Sequence, residues 1–157
     1  MPCSIVRDEI DLEEMRRRAQ DPQAGAVLIF CGDVRNHSQK QEVSFLEYEA
    51  HERMALKQIK IIIKQAQQKW EMHKVEVIHR LGKLKVTDCS IAIAVSTSHR
   101  DEAYEASRYI IDTIKHSVPI WKKEHFINGF SNWSEGCEAS SIIENSAKPP
   151  SRVIKKR

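Results

Sequence analysis

Ser90-Ile91-Ala92-Ile93-Ala94-Val95-Ser96 is the stretch on which the fold turns. Its small and β-branched apolar residues predict a strand buried on both faces, with something packed closely against it. Directly after it, Ser98 is placed to cap a helix, with Asp101 at the N3 position. Ala103, Ala106, Ile110 and Ile114 then recur along one stripe, which predicts a helix from His99 to about His116. Pro119 ends it, because the residue before a proline is pushed out of the helical region. A buried strand feeding an amphipathic helix belongs to a domain in which helices pack on a sheet.

Working outward, the same pairing recurs upstream. Glu52–Trp70 is the clearest helix, with Leu56, Ile59, Ile63, Ala66 and Trp70 on one stripe and Lys57, Lys60, Lys64, Gln67 and Gln68 largely off it. Trp70 completes that stripe and reads as core. Gly25 to Gly32 is an apolar run between glycines and predicts a buried strand. The polar Asp33 to Glu42 predicts a loop, and Val43–Tyr48 a second strand. Val75–His79 reads as a strand and Gly82 as a turn. Near the start, Ser4–Val6 predicts a short strand. Asp11 and Glu14 have capping-box spacing for a helix through Ala19, which Asp21-Pro22 stops. Ile120–Phe126 looks extended, and Trp133 lies beyond a glycine-containing turn. The interleaving predicts a single α+β or α/β domain over residues 1–144.

Composition narrows the class. A chain of 157 residues and 18.1 kDa, 41% hydrophobic and 30% charged, fits one ordinary globular domain that needs no disulfide or metal staple. No apolar run approaches the roughly 18–20 residues that span a bilayer. The N-terminus lacks a basic segment followed by an apolar one, so no secretory signal is read. The four cysteines, Cys3, Cys31, Cys89 and Cys137, are far apart and form no CxxC pair, which predicts reduced thiols and a cytosolic protein.

The net charge is +3, but Lys148, Arg152, Lys155, Lys156 and Arg157 are all in the last segment. Without those five, residues 1–145 carry −2. Residues 145–157 therefore read as a basic, disordered tail on an acidic body. The tail resembles a minimal basic targeting signal, though solvated tails of this kind are common. The acidic body disfavours nucleic-acid binding.

The side chains that could carry chemistry are basic. Arg35 follows a predicted strand, His99-Arg100 opens a helix, Lys115 closes it, and Lys122-Lys123-Glu124 lies in the extended segment beyond. Free N–H groups and the partial positive charge of a helix N-terminus favour an anion, and His99 and Arg100 add to both. Each has an ordinary explanation when taken singly. An arginine after a strand is usually solvated, and a lysine in a last turn suits the helix dipole. His-Arg in a first turn opposes that dipole and so needs a reason. His37, His51, His73, His79, His116 and His125 lack zinc-motif spacing, so no metal is expected. Cys31 and Cys89 sit in or beside predicted strands, where a thiol is usually inert packing.

Together these pieces say more. Gly25-Ala26-Val27, Phe30-Cys31-Gly32-Asp33-Val34-Arg35-Asn36-His37, Leu46-Glu47-Tyr48-Glu49-Ala50, Ile78-His79-Arg80-Leu81-Gly82, Ser96-Thr97-Ser98-His99-Arg100 and Lys115 followed by Val118-Pro119-Ile120-Trp121-Lys122-Lys123-Glu124 occur in this order. This ordered set resembles the large, catalytic subunit of molybdopterin synthase, over about Gly25 to Trp133. The resemblance implies an α/β hammerhead-like α+β fold around a largely antiparallel sheet. It also implies a central homodimer within a heterotetramer. A small ubiquitin-like subunit would insert its C-terminal Gly-Gly tail, bearing a thiocarboxylate, into the large subunit. The implied acceptor is cyclic pyranopterin monophosphate, or precursor Z. Two sulfur transfers would build the dithiolene of molybdopterin, with no cofactor or metal resident in the large subunit.

By that resemblance Lys115 and Lys122 are the catalytic lysines. Arg35, His99 and Arg100 bind substrate with them, and Lys123 and Glu124 line the pocket. Asp33 departs from the family, whose bacterial members often carry lysine there. Trp121 is read either as stacking on the pterin or as core. The residue types fit, since arginine binds phosphate bidentately and fixed cations stabilise charge developing at an acyl carbon. A lysine among other cations should have a lowered pKa and could act as acid, base or nucleophile. Lys115 is expected to have the direct role and Lys122 the electrostatic one.

His99 and Lys115 lie about 24 Å apart on a straight helix at 1.5 Å per residue. One small substrate cannot touch both ends, so a composite site is expected, with His99-Arg100 supplied by the dimer partner. The rival readings are a non-catalytic α+β module that binds a phosphorylated ligand and, more faintly, an RNA-binding domain.

Overall fold

The central strand is the one picked out above. The computed structural model describes residues 2–135, and in it Cys89–Thr97 (β7) runs between two neighbours with every residue from Ser90 to Thr97 buried. Alternation along it divides the core. Ile91, Ile93 and Val95 enter the cluster beneath two long helices, while Ala92 and Ala94 enter a second cluster on the other face. The small residues lie where Met15 and Ala19 of a short helix press close.

In chain order the elements are β1 (Cys3–Val6), α1 (Leu12–Ala19), β2 (Ala26–Asp33), β3 (His37–Ser38), β4 (Gln41–Ala50) and α2 (Glu52–Lys69). They continue with β5 (Lys74–Arg80), β6 (Gly82–Lys85), β7, α3 (Arg100–Ser117), β8 (Ile120–Phe126) and β9 (Ser131–Glu135). One sheet has the order β1-β5-β7-β2, with β1 and β5 parallel and the other pairs antiparallel. The second, antiparallel throughout, has the order β3-β4-β8-β9, and β6 also pairs with β4. The expected α+β domain with a largely antiparallel sheet is therefore present. The proposed tail, 145–157, lies outside the described residues, as does Cys137.

α2 and α3 cover one face of the first sheet and α1 the other. The α2 stripe centres on Ala55, Ile59, Ile62, Ile63 and Ala66, with Leu56 and Trp70 at its half-buried margin. Asp11 caps α1 as expected, its carboxylate accepting from the Glu14 N–H at 2.9 Å.

Four local expectations need correction. β2 is half-buried rather than buried, because it is the edge strand of its sheet. The polar stretch after it is not all loop. His37–Ser38 pairs with Gln41 and Glu42 across a two-residue turn in which Gln39 and Lys40 have φ of 49° and 64°. That is primed-turn geometry without the usual Asn-Gly signature. Strand β6 was unforeseen; it begins at Gly82, whose φ of +94° suits only glycine comfortably. Finally, α3 is capped at His99 with no side-chain hydrogen bond. The Ser98 hydroxyl pairs instead with Nε2 of His73, at 2.9 Å.

Candidate functional site

The two sheets meet at a seam beneath the C-terminal end of α3, and Tyr48 is the hinge residue there. It pairs with Lys122 across β4 and β8. Paired residues share a face, so Lys122 and Tyr48 lie on one side of the second sheet together with Glu124 and its partner Leu46. The Tyr48 phenol interacts with the Ser90 hydroxyl, which donates to the Gly32 carbonyl at 2.8 Å. Burial pushes the Tyr48 phenol above its ordinary pKa, although the Ser90 bond and the charge of Arg35 pull it down.

Lys122 is largely enclosed. Burial lowers its pKa, Glu124 opposes that shift, and the charge of Arg35 lowers it further. Glu124 is only 5% exposed. Its Oε1 accepts from the Ser134 hydroxyl at 3.2 Å, and its Oε2 is buried without a hydrogen-bond partner. A buried carboxylate beside a largely enclosed ammonium favours the charged form of that ammonium.

Below Tyr48 lies His79 of β5, its ring meeting the tyrosine edge-on at 5.3 Å between centroids. It too is 5% exposed. Burial lowers its pKa to about 4, with the nearby charge of Lys115 adding to that effect and a bond to the Arg80 carbonyl opposing it. Lys115, exposed on the last turn of α3, thus bears on the same seam. A cavity of about 520 Å³ opens between Arg7, Tyr48, Glu49, His51, Leu81-Gly82 and Trp121, and of the seam residues only Tyr48 lines it. A larger hollow of about 870 Å³ lies around His51, Met54, Lys57 and Ile61 at the start of α2. Neither cavity is lined by a cationic site residue.

The fold therefore brings Arg35, Lys115, Lys122 and Glu124 to one place. His99 and Arg100 stand apart, exposed at the opposite end of the 18-residue α3. Lys123 projects from the other face of β8, its ammonium 5.6 Å from the centroid of the Trp133 ring. Trp121 shares that opposite face, is 5% exposed and meets His51 edge-on, which favours the core reading.

Tyr48, His79 and Ser90 were not singled out beforehand as site residues. For His79 a signal existed: it shares its strand face with Val75 and Val77, so a polar ring was bound inward. Burial raises the pKa of both Cys31 and Cys89, the latter to about 12, as inert thiols should behave. Among the described residues no group of three or more His, Cys, Asp or Glu side chains could hold a metal. No helix among them is long and apolar enough to cross a membrane.

Comparison with known proteins completes the picture. The family described as MoaE protein matches residues 5–117. The chain belongs to this family. The molybdopterin synthase catalytic subunit of Halalkalibacterium halodurans is 39% identical over 145 residues, covering 92% of this chain and 93% of that protein. A chain in the crystal structure of molybdopterin synthase from Staphylococcus aureus is 39% identical. It superposes with a TM-score of 0.78, over 83% of this chain and 94% of that one. A chain in the complex of subunits 1 and 2 of molybdopterin-converting factor from Helicobacter pylori 26695 shares the fold at 21% identity. Its TM-score is 0.68, over 82% of this chain and 87% of that one. As a MoaE-family catalytic subunit, the protein is an enzyme.

Proposed function

We propose that this molybdopterin synthase catalytic subunit transfers sulfur from the C-terminal thiocarboxylate of a small ubiquitin-like partner to precursor Z. The dithiolene of molybdopterin is the product. One observation carries the reading: three cations from separate elements, Arg35, Lys115 and Lys122, bear on the seam around Tyr48 and His79. The Helicobacter pylori complex, in which two different subunits associate, supports a partner of the small-subunit kind. Three described cysteines, all unpaired, suit the reducing cytosol as the compartment.

In this mechanism the thiocarboxylate sulfur bonds to a side-chain carbon of the substrate as a C–O bond at that carbon breaks, the oxygen leaving as water at one carbon and remaining on the opened phosphate at the other. Water then cleaves the thioester so formed, leaving a carboxylate on the partner and sulfur on the pterin. Negative charge gathers on the acyl oxygen, where Arg35 and the lysines stabilise it. Burial divides the lysines differently from the sequence-level expectation. Lys122, enclosed and with its pKa lowered by burial, suits proton transfer, and exposed Lys115 suits the electrostatic task.

The composite site gains a geometric argument. β2 is an unpaired edge among the described strands, with Ala26 beside Thr97 at one end and Arg35 just beyond the other. Its eight residues span about 24 Å at 3.4 Å per residue, matching the distance from His99 to Lys115. Two β2 strands pairing antiparallel about a twofold would set one protomer's His99-Arg100 beside the other's Arg35 and Lys122.

Mixing Lys115→Ala protomers with Arg100→Ala protomers tests this. Heterodimers should regain one intact site, and no recovery would refute a shared one. Supplying a thiocarboxylated partner and precursor Z separates enzyme from binding module, since a module yields no dithiolene.

A further inference from the structure

His73 lies between α2 and β5, away from the seam, and the mechanism gives it no task. Its Nε2 shares a hydrogen bond of 2.9 Å with the Ser98 hydroxyl. Ser98 immediately precedes the His99-Arg100 pair, with Asp101 three residues beyond it. A serine so placed ordinarily caps a helix by accepting from an N–H two or three residues on, here that of Arg100 or Asp101. In the structure it does not. α3 begins at Arg100, no side chain caps it, and His99 is extended, with φ of −128° and ψ of 150°. The backbone of His73 is anchored beside that serine. Its N–H donates to the Ser96 carbonyl at 2.8 Å, and the Lys74 N–H donates to the Ser96 hydroxyl at 3.1 Å. Two further contacts hold the same turn. The hydroxyl of buried Thr97 donates to the His99 carbonyl, and Gly25 lies close against the Ser98 carbonyl.

We propose that His73 is a positioning residue for the His99-Arg100 pair: it holds the Ser98 hydroxyl away from the start of α3, so the helix begins at Arg100 and His99 stays extended. The proposal deepens the composite-site reading above and rests on it for the claim that this pair binds the substrate. A forgone cap costs helix stability, and here it is forgone beside the two residues assigned to substrate. Released from His73, Ser98 would cap. His99 would then become the first helical residue and its ring would be carried to another side of the helix, while Arg100 would move to the second helical position. The pair would no longer meet the partner protomer's site in the same geometry.

Amide hydrogen exchange of the full-length chain, resolved by NMR at Arg100 and Asp101, reads the cap directly. In His73→Phe, which cannot bond the hydroxyl, at least one of these amides should exchange about fivefold more slowly as Ser98 takes the capping position. His73→Gln, whose amide can still reach the hydroxyl, should keep the wild-type rates. Adding Ser98→Ala to His73→Phe should restore them. Unslowed exchange at both amides in a folded His73→Phe protein would overturn the proposal, as would slowing that persists in the double variant. Turnover with a thiocarboxylated partner reads the consequence. The KM for precursor Z should rise about fivefold in His73→Phe with kcat little changed, the signature of lost binding, and should return in His73→Gln. An unchanged KM in His73→Phe, where Arg100→Ala raises it, would also overturn the proposal. A normal KM in Arg100→Ala itself defeats the assignment of the pair to substrate, while the exchange rates still decide what His73 does.

Discussion

A second proton has nowhere comfortable to sit on His79, whose Nδ1–H already donates to the Arg80 carbonyl. Its pKa falls from 6.5 to about 4 on folding, so between those values the unfolded chain binds the proton and the folded one does not. Stability is therefore intact above pH 6.5 and drains away as pH falls towards 4, by about 3 kcal/mol in all. Denaturant titrations of His79→Phe should show a flatter stability profile across that window; an unchanged slope would mean the ring is not buried neutral. Gly25 makes a second residue-scale case. A Cβ there would lie 2.5 Å from the Ser98 carbonyl oxygen, which is backbone and cannot swing away. Gly25→Ala should cost about 1–3 kcal/mol and displace the neighbouring His99-Arg100 turn. Thermal melts read the first effect, and heterodimer complementation reads the second.

Elements were legible wherever one rule governed many residues. The β7 run and the α3 stripe after it were readable because burial on both faces selects small and β-branched residues, and a 3.6-residue period survives local noise. Ile59 marks the centre of the α2 stripe and is fully buried, so Ile59→Ala should cost about 2–5 kcal/mol by chemical denaturation. β3 and β6 were illegible for the opposite reason. Two residues of β3 cannot display a period, and Gln39-Lys40 adopts positive φ with side chains that do not advertise it. β6 is four residues long and declares itself only through its pairing with β4. The cap of α3 slipped by one residue because Ser98 bonds His73, a partner 25 positions away. The site was partly readable in the same sense. Lys115 and Lys122 stood out by motif, but Tyr48 and His79 join them only through the meeting of two sheets.

For the whole molecule the decisive matter is what one protomer lacks. His99 and Arg100 stand at the far end of α3 from Lys115, so the proposed site of Arg35, His99, Arg100, Lys115 and Lys122 needs a second protomer. Specific activity should accordingly fall on dilution as dimers part, and sedimentation at the same concentrations should track the loss. Activity that survives in demonstrable monomers would remove the need for a partner's arginine.

β8 carries Lys122 and Lys123 on opposite sides of one pleated ribbon, a single peptide unit apart. A pleat counts in twos, so deleting one residue between Pro119 and Trp121 would exchange the two ammonium groups without changing the charge inventory. The protein so made would turn the lysine proposed for proton transfer to the Trp121 and Trp133 side and Lys123 to the Tyr48 side. Parity, more than the presence of either lysine, is what this strand has to preserve.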